Sequence, residues 1–336
     1  MALVLREDDV RALLSMPDAM RVLEGMFRRQ GAGEVRNQPR VRVALPEGRG
    51  VMHTLPAYVP GQAGDPAADG PGFVGLKTYT AVGGKVRFVV LLSSAEDGRL
   101  LAIIEADLLG QMRTGAASGV ATRHMALPDA SVAALIGAGG QARTQALALA
   151  AARPLKTLLV YARDPERCAA FCREVADQIG VESRPVASAE EAVRAAEIVV
   201  TATTAREPVM RGEWLRPGAH VNAMGSNWGH RREVDTETVL RSDLIAVDDL
   251  QQAQNEAGDL LIPEHEGRFS LVEAASDGRM VELGRIVAGG VAGRPSAEAI
   301  TLFKSLGIGA EDVATAAFVY QRARERGVGN EIALLS

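Results

Sequence analysis

Cysteine is nearly absent from this chain. Cys168 and Cys172 are the only two, and they lie one helical turn apart on a predicted helix. That pattern reads as reduced thiols in a cytosolic protein, neither a disulfide framework nor a redox pair. Histidine is sparse too. His53, His124, His220, His230 and His265 form no H-x-x-x-H or Cys/His ligand spacing, so no metal is expected. No apolar stretch is long and uninterrupted enough to span a bilayer, so no membrane association is expected. Arg6, Glu7, Asp8 and Asp9 bring charge too early for a signal peptide, and a cytoplasmic location is the expectation. A net charge of −5 makes no electrostatic case for nucleic acid or a membrane surface. Internal repeats and low-complexity tracts are missing as well.

What is present is an ordinary globular composition, 47% hydrophobic and 24% charged, in a chain of 336 residues that can hold two domains. In the first part, Asp8 or Asp9 is placed to cap a short helix over 10–14, and Pro17 to open a second helix reaching 32. Strands are expected over 41–45 and 51–55, then 73–80 and 86–93 joined through Gly83-Gly84, then 100–105. Residues 59–72 are mostly turn-formers and read as a mobile or variable loop. A long helix over 106–125 follows. From 131 onward strands and helices alternate, with candidate strands at 132–137, 157–162, 198–202, 219–224 and 244–247. Such alternation implies a doubly wound parallel sheet. A last helix over 310–324 is placed to fold back onto the first domain.

The densest chemical signal is Gly137-Ala138-Gly139-Gly140-Gln141-Ala142, directly after the apolar run Val132–Ile136 and before an alanine-rich helix. Strand, G-x-G-x-x-A and helix make a dinucleotide-binding turn. Gly137 permits the tight turn, Gly139 lets a pyrophosphate approach the backbone, and Ala142 lets helix and strand pack closely. The N–H groups of the helix N-terminus, from Gly140 and Gln141 onward, then meet the phosphates. At the end of the next strand stands Arg163, with Arg167 on the following helix, where an acid for the ribose would otherwise be expected. A guanidinium suits a 2′-phosphate, which favours NADP(H) over NAD(H). The opposite reading makes Arg163 a solvated loop residue and gives the ribose to Asp164.

Five stretches in order carry a resemblance: Gly75-Leu76-Lys77, Arg113-Thr114-Gly115-Ala116-Ala117-Ser118, Ile136-Gly137-Ala138-Gly139, Asn222-Ala223-Met224-Gly225-Ser226, and Ile300–Gly307. Together they resemble the ornithine cyclodeaminase/μ-crystallin family over nearly the whole chain. The resemblance implies an α/β protein: a Rossmann doubly wound parallel sheet at 127–305 plus a mixed α+β substrate-binding and dimerisation domain made of 1–126 with 306–336. It implies a homodimer acting on a small imino or amino acid. It also implies that Arg42 and Arg113 bind the substrate carboxylate, that Lys77 polarises or protonates substrate nitrogen, and that Thr114, Thr203, Met224 and Ser226 join the turn in holding the cofactor. An ammonium among other cations has a lowered pKa, which suits proton transfer near neutral pH.

Two positions depart from the cyclodeaminase pattern. Asn227 stands where an aspartate serves deamination and ring closure, and His53 replaces an acid before Leu55-Pro56. Asn227 hydrogen-bonds but takes no proton at neutral pH. Reduction of a preformed cyclic or open-chain imine carboxylate therefore ranks first. An alanine-type dehydrogenase, an ornithine cyclodeaminase and a non-enzymatic crystallin-like binding protein follow. His53, or His230 beside Asn227, is the candidate for any titrating imidazole, and an exposed loop residue is the plain alternative for His230.

Overall fold

The computed structural model describes residues 1–61 and 70–334, so the centre of the turn-rich 59–72 segment lies outside the described residues. The chain divides into two compact units, Met1–Arg113 with Gly307–Ser336, and Thr114–Leu306. The first break falls inside a helix, before the boundary at 126 that the resemblance implied. The second comes one residue later than expected.

The first stretch holds β1 (Ala2–Leu5), α1 (Glu7–Leu13), α2 (Met16–Gly31), β2 (Arg36–Asn37), β3 (Val41–Ala44), β4 (Gly50–Val59), β5 (Phe73–Val82), β6 (Lys85–Ser94), β7 (Leu100–Glu105) and α3 (Asp107–Met125). Next come β8 (Val132–Ile136), α4 (Gly140–Ala152), β9 (Thr157–Tyr161), α5 (Pro165–Ile179), β10 (Glu182–Pro185), α6 (Ala189–Ala195), β11 (Ile198–Thr201) and β12 (His220–Ala223). Then follow α7 (Thr236–Arg241), β13 (Leu244–Val247), α8 (Leu250–Glu256), α9 (Gly258–His265), α10 (Leu271–Ser276), β14 (Met280–Glu282), α11 (Leu283–Val287) and β15 (Thr301–Lys304). The chain closes with α12 (Gly309–Arg326) and β16 (Asn330–Ile332).

In the first unit a mixed sheet runs β16-β1-β7-β6-β5-β4-β2, with β3 also paired to β4. Its β1–β7 pair is parallel and the remaining pairs are antiparallel. Helix α12 packs on β4, β5 and β6 and is backed by α2. A Cβ at Gly75 would press on the Leu91 carbonyl and the Val313 side chain of α12, so glycine there permits the close approach. Helix α1 begins earlier than expected: Arg6 is its N-cap, and Asp9 accepts the Arg6 N–H at 2.9 Å instead of capping the helix itself. Strand β4 runs on through Pro56, beyond the expected end at 55. The edge strand β16 and its neighbour β1 have no expected counterpart. Each is short and pairs only through tertiary contact.

In the second unit eight parallel strands run β10-β9-β8-β11-β12-β15-β13-β14. Successive residues of β8 enter opposite cores. Ala133 and Leu135 pack with Ala142, Ala146 and Cys168, whereas Ala134 and Ile136 pack with Ala192, Val199 and Val221. Helices therefore cover both faces, and strands buried on both sides are near-continuously apolar. This is the expected doubly wound sheet, with three additions: β10, β14 and the central β15. The last ends in a charged residue, Lys304, which hides it from an apolar-run search.

Candidate active site

In the first unit, strand register assembles a cationic cluster. Arg42 of β3 lies opposite His53 of β4, and His53 lies opposite Tyr79 of β5. Lys77 precedes Tyr79 by two residues, so side-chain alternation puts all four on one face of the sheet. The His53 and Tyr79 rings stack at 4.3 Å. Arg40, two residues before Arg42, donates to the Tyr79 hydroxyl at 2.9 Å and to the Gly307 carbonyl at 3.1 Å.

Lys77 is buried, and its Nζ donates to Asp312 at 2.9 Å. Arg113, also buried, reaches the same Asp312 through Nε at 2.9 Å and Glu311 through Nη1 at 2.8 Å. Both acids open α12 and are fully buried. Burial first, then the Arg113 charge, brings the Lys77 ammonium down to about 8, with Asp312 opposing the fall and Arg40 adding to it. The direction matches the expectation; the larger cause is loss of water, not neighbouring cations. Burial, followed by Arg40, Arg42 and Lys77, holds His53 down at about 4. This favours the neutral imidazole for His53 near pH 7. Sequence reasoning missed Arg40, Tyr79, Glu311 and Asp312. Two acids at a helix start look like ordinary dipole partners; the only signal for Arg40 was its spacing of two from Arg42.

In the second unit the glycine turn has the geometry its residues imply. Gly137 adopts φ +123°, and a Cβ there would collide with the Ala202 carbonyl. Gly139 caps α4, and a Cβ on it would meet nothing within 4 Å. Gly140 begins the helix, Gln141 is half-buried, and Ala142 is buried against the sheet. An open cradle before a helix N-terminus fits a dinucleotide pyrophosphate. Thr114 is buried, and its carbonyl accepts from Gln145 of α4 at 3.4 Å. Thr203 lies beside Gly137, whose Cβ would meet the Thr203 methyl at 3.4 Å.

Strand β9 ends at Tyr161, so Arg163 stands two residues past it, and both Arg163 and Arg167 are exposed. Asp164 accepts the Arg167 N–H at 3.0 Å and caps α5. Met224 is half-buried just past β12, and Ser226 is buried, donating to the Arg231 carbonyl at 3.2 Å. Asn227 follows half-buried, and His230 is exposed. Beneath these turns lies a set of charges the sequence did not reveal. Glu233, Asp259 and Lys304 are fully buried, and Lys304 reaches Asp259 at 2.8 Å and the Ser226 carbonyl at 2.6 Å. Burial and Asp259 push the Glu233 carboxyl upward. Arg232-Glu233 in sequence reads as a solvated pair, which is why it gave no signal. Among the described residues no His, Cys, Asp or Glu group is arranged to hold a metal, and no helix is long and apolar enough to cross a membrane.

A parallel sheet with a glycine-rich turn of the dinucleotide-binding kind, in one chain with a mixed sheet bearing a buried lysine among arginines, defines a Rossmann-type protein with a second, mixed-sheet unit. The chain belongs to the ornithine cyclodeaminase/mu-crystallin family, whose model matches residues 1–327. It is 38% identical to a Delta(1)-pyrroline-2-carboxylate reductase of Bacillus cereus over 272 residues, covering 79% of this chain and 82% of that protein. Thermococcus litoralis Delta(1)-pyrroline-2-carboxylate reductase, solved in complex with NADH and L-proline, shares 35% identity at a TM-score of 0.89, covering 98% of this chain and 100% of that one. An archaeal alanine dehydrogenase dimer with bound NAD shares 30% identity at a TM-score of 0.89, with 99% of each chain covered.

Proposed function

We propose that this protein is a cytoplasmic NADPH-dependent reductase of an imine that carries an α-carboxylate, of the pyrroline-2-carboxylate, piperideine-2-carboxylate or ketimine kind. The observation that carries the reading is Lys77: a buried amine brought to about 8 on the same sheet face as Arg42. The reductase relatives act on this substrate class. A guanidinium holds a carboxylate through paired hydrogen bonds, the role given to Arg42 and Arg113. Lys77 as ammonium gives its proton to the imine nitrogen, and Asp312 holds the charge state and direction of the amine. His53, kept neutral, shapes the site through its stack on Tyr79 without competing for that proton. When bound, the nicotinamide supplies the hydride that reduces the imine carbon and leaves in its oxidised form. Asn227 supplies no base, so efficient ornithine cyclisation is not part of the reading.

NADPH is preferred in this proposal because Arg163 and Arg167 stand exposed beyond β9, with Asp164 engaged in capping α5. NADH, bound by the Thermococcus relative, remains a usable donor. The protein is proposed to be a homodimer. The face of the first unit's sheet opposite Lys77 exposes Val41, Val43, Met52, Val74 and Val82, an apolar area suited to a second copy. The deciding experiment is NADPH oxidation against a panel of cyclic imines, pyruvate with ammonia, and ornithine, with products identified. Turnover of the cyclic imines supports the proposal. Exclusive turnover of pyruvate with ammonia transfers it to an alanine-type dehydrogenase, and proline with ammonia from ornithine to a cyclodeaminase. No consumption of NADPH with any of them leaves a binding protein.

A further inference from the structure

One carboxylate ties together two adjacent strand ends of the parallel sheet. Glu233 Oε1 accepts from the Thr203 backbone N–H and from the Thr203 hydroxyl, each at 2.7 Å. Its Oε2 accepts from the Thr201 hydroxyl at 2.9 Å and from the Gly225 N–H at 2.5 Å. Thr201 ends β11, and Gly225 follows β12, its neighbour. Asp259 holds Glu233 from behind, accepting the backbone N–H groups of Glu233 at 2.6 Å and Val234 at 3.0 Å. Lys304, at the end of β15 on the far side of β12, ion-pairs Asp259 and donates to the Ser226 carbonyl. Three neighbouring strands are thus clipped at their carboxyl ends by three fully buried charges.

That position matters in an open α/β sheet, where ligands bind outside the carboxyl ends at the point where strand order reverses. The reversal here lies between β8 and β11, since β8 has β9 on one side and β11 on the other. Gly137 directly follows the first of these strands and packs on Ala202 and Thr203 after the second. We propose that Glu233, seated on Asp259 and Lys304, is a positioning residue for the dinucleotide: it fixes Thr203 and the Gly225-Ser226 turn relative to the glycine cradle. The inference rests on the cofactor reading above and adds to it a residue that touches no ligand.

The chemistry demands a carboxylate. Each oxygen takes one backbone N–H, a donor that cannot reverse, so both oxygens must accept. An amide accepts on one oxygen only and would turn its NH2 toward either Thr203 or Gly225. Glu233→Gln therefore releases one strand end while nearly preserving volume.

The test is calorimetric titration of wild type, E233Q and T201V with NADPH and with NADH, beside thermal unfolding. Thr201 is buried and donates only its hydroxyl to the network; T201V keeps the shape and removes that donor. Coupling through Thr203 and the Gly225-Ser226 turn should raise the dinucleotide Kd about tenfold in E233Q, with binding stoichiometry still near one. T201V should raise Kd in the same direction by a smaller factor and decides the matter if E233Q does not fold. A purely structural defect would lower the stoichiometry, by the unfolded fraction, at unchanged Kd; that result, or unchanged Kd in the folded variants, overturns the proposal. Wild type that binds no dinucleotide overturns the cofactor reading and this one together.

Discussion

Lys77 and Asp312 form a buried ion pair at 2.9 Å although 235 positions separate them in the chain. Asp312 also takes the Nε–H of Arg113, so one carboxylate orients both the proposed proton donor and a proposed carboxylate clamp. If Lys77 is the donor, imine reduction should fall as pH rises through about 8, where the amine loses its proton. Asp312 is the charge that raises this pKa, so D312N should move the alkaline limb to lower pH. Leaving two buried cations short of a partner should also cost roughly 3–5 kcal/mol of stability. A pH–rate profile with matching urea unfolding checks both effects, and an unmoved limb would remove Lys77 from the donor role.

Lys77→Ala is expected to abolish turnover of a cyclic imine while dinucleotide affinity stays at the wild-type value. Residual turnover near wild type would give the proton to water or another group.

Arg42 is half-buried on the sheet face that holds Lys77 and has no part in the dinucleotide turn. Arg42→Ala should therefore raise the KM for the imine carboxylate, by a loss of roughly 2–5 kcal/mol if the charge pair is desolvated. Steady-state kinetics at saturating cofactor, with Kd measured separately, distinguishes this from general damage.

Arg163→Asp should weaken NADPH binding and reverse the preference toward NADH, because a carboxylate repels the 2′-phosphate that a guanidinium attracts. Equal affinity of wild type for the two reduced cofactors would remove the basis of this assignment.

Two buried imidazoles should weaken the fold toward acid pH. His53 is held at about 4 and His220 at about 3, both chiefly by burial, against an ordinary value of 6.5. Between the folded and unfolded values the unfolded chain binds more protons, so stability must decline as pH falls from about 6.5 toward 4. His53→Gln should flatten part of that slope in urea midpoints taken across the range. Lys77 acts with the same sign in a different window: its folded value near 8 lies below 10.5, so stability falls as pH drops from 10.5 to 8.

Much of the second unit was written locally. The run Val132–Ile136, the glycines after it and the small Ala142 each have one low-energy use, and a turn of that kind closes within a few residues. Lys77, Arg42 and Arg113 were visible as motif residues, but their charge states were not. Those depend on α12 laying Glu311 and Asp312 over the sheet, and on water being excluded there. Glu233 and Asp259 left no trace in any pattern, and Lys304 was visible only as a member of the Ile300–Gly307 stretch, since a charged residue reads as exposed until a partner distant in sequence covers it. Burial and long-range pairing are properties of the folded chain. They decided which arginine and aspartate neighbours act on Lys77, why a lysine ends a central strand, and where the helix shared by the two units is divided.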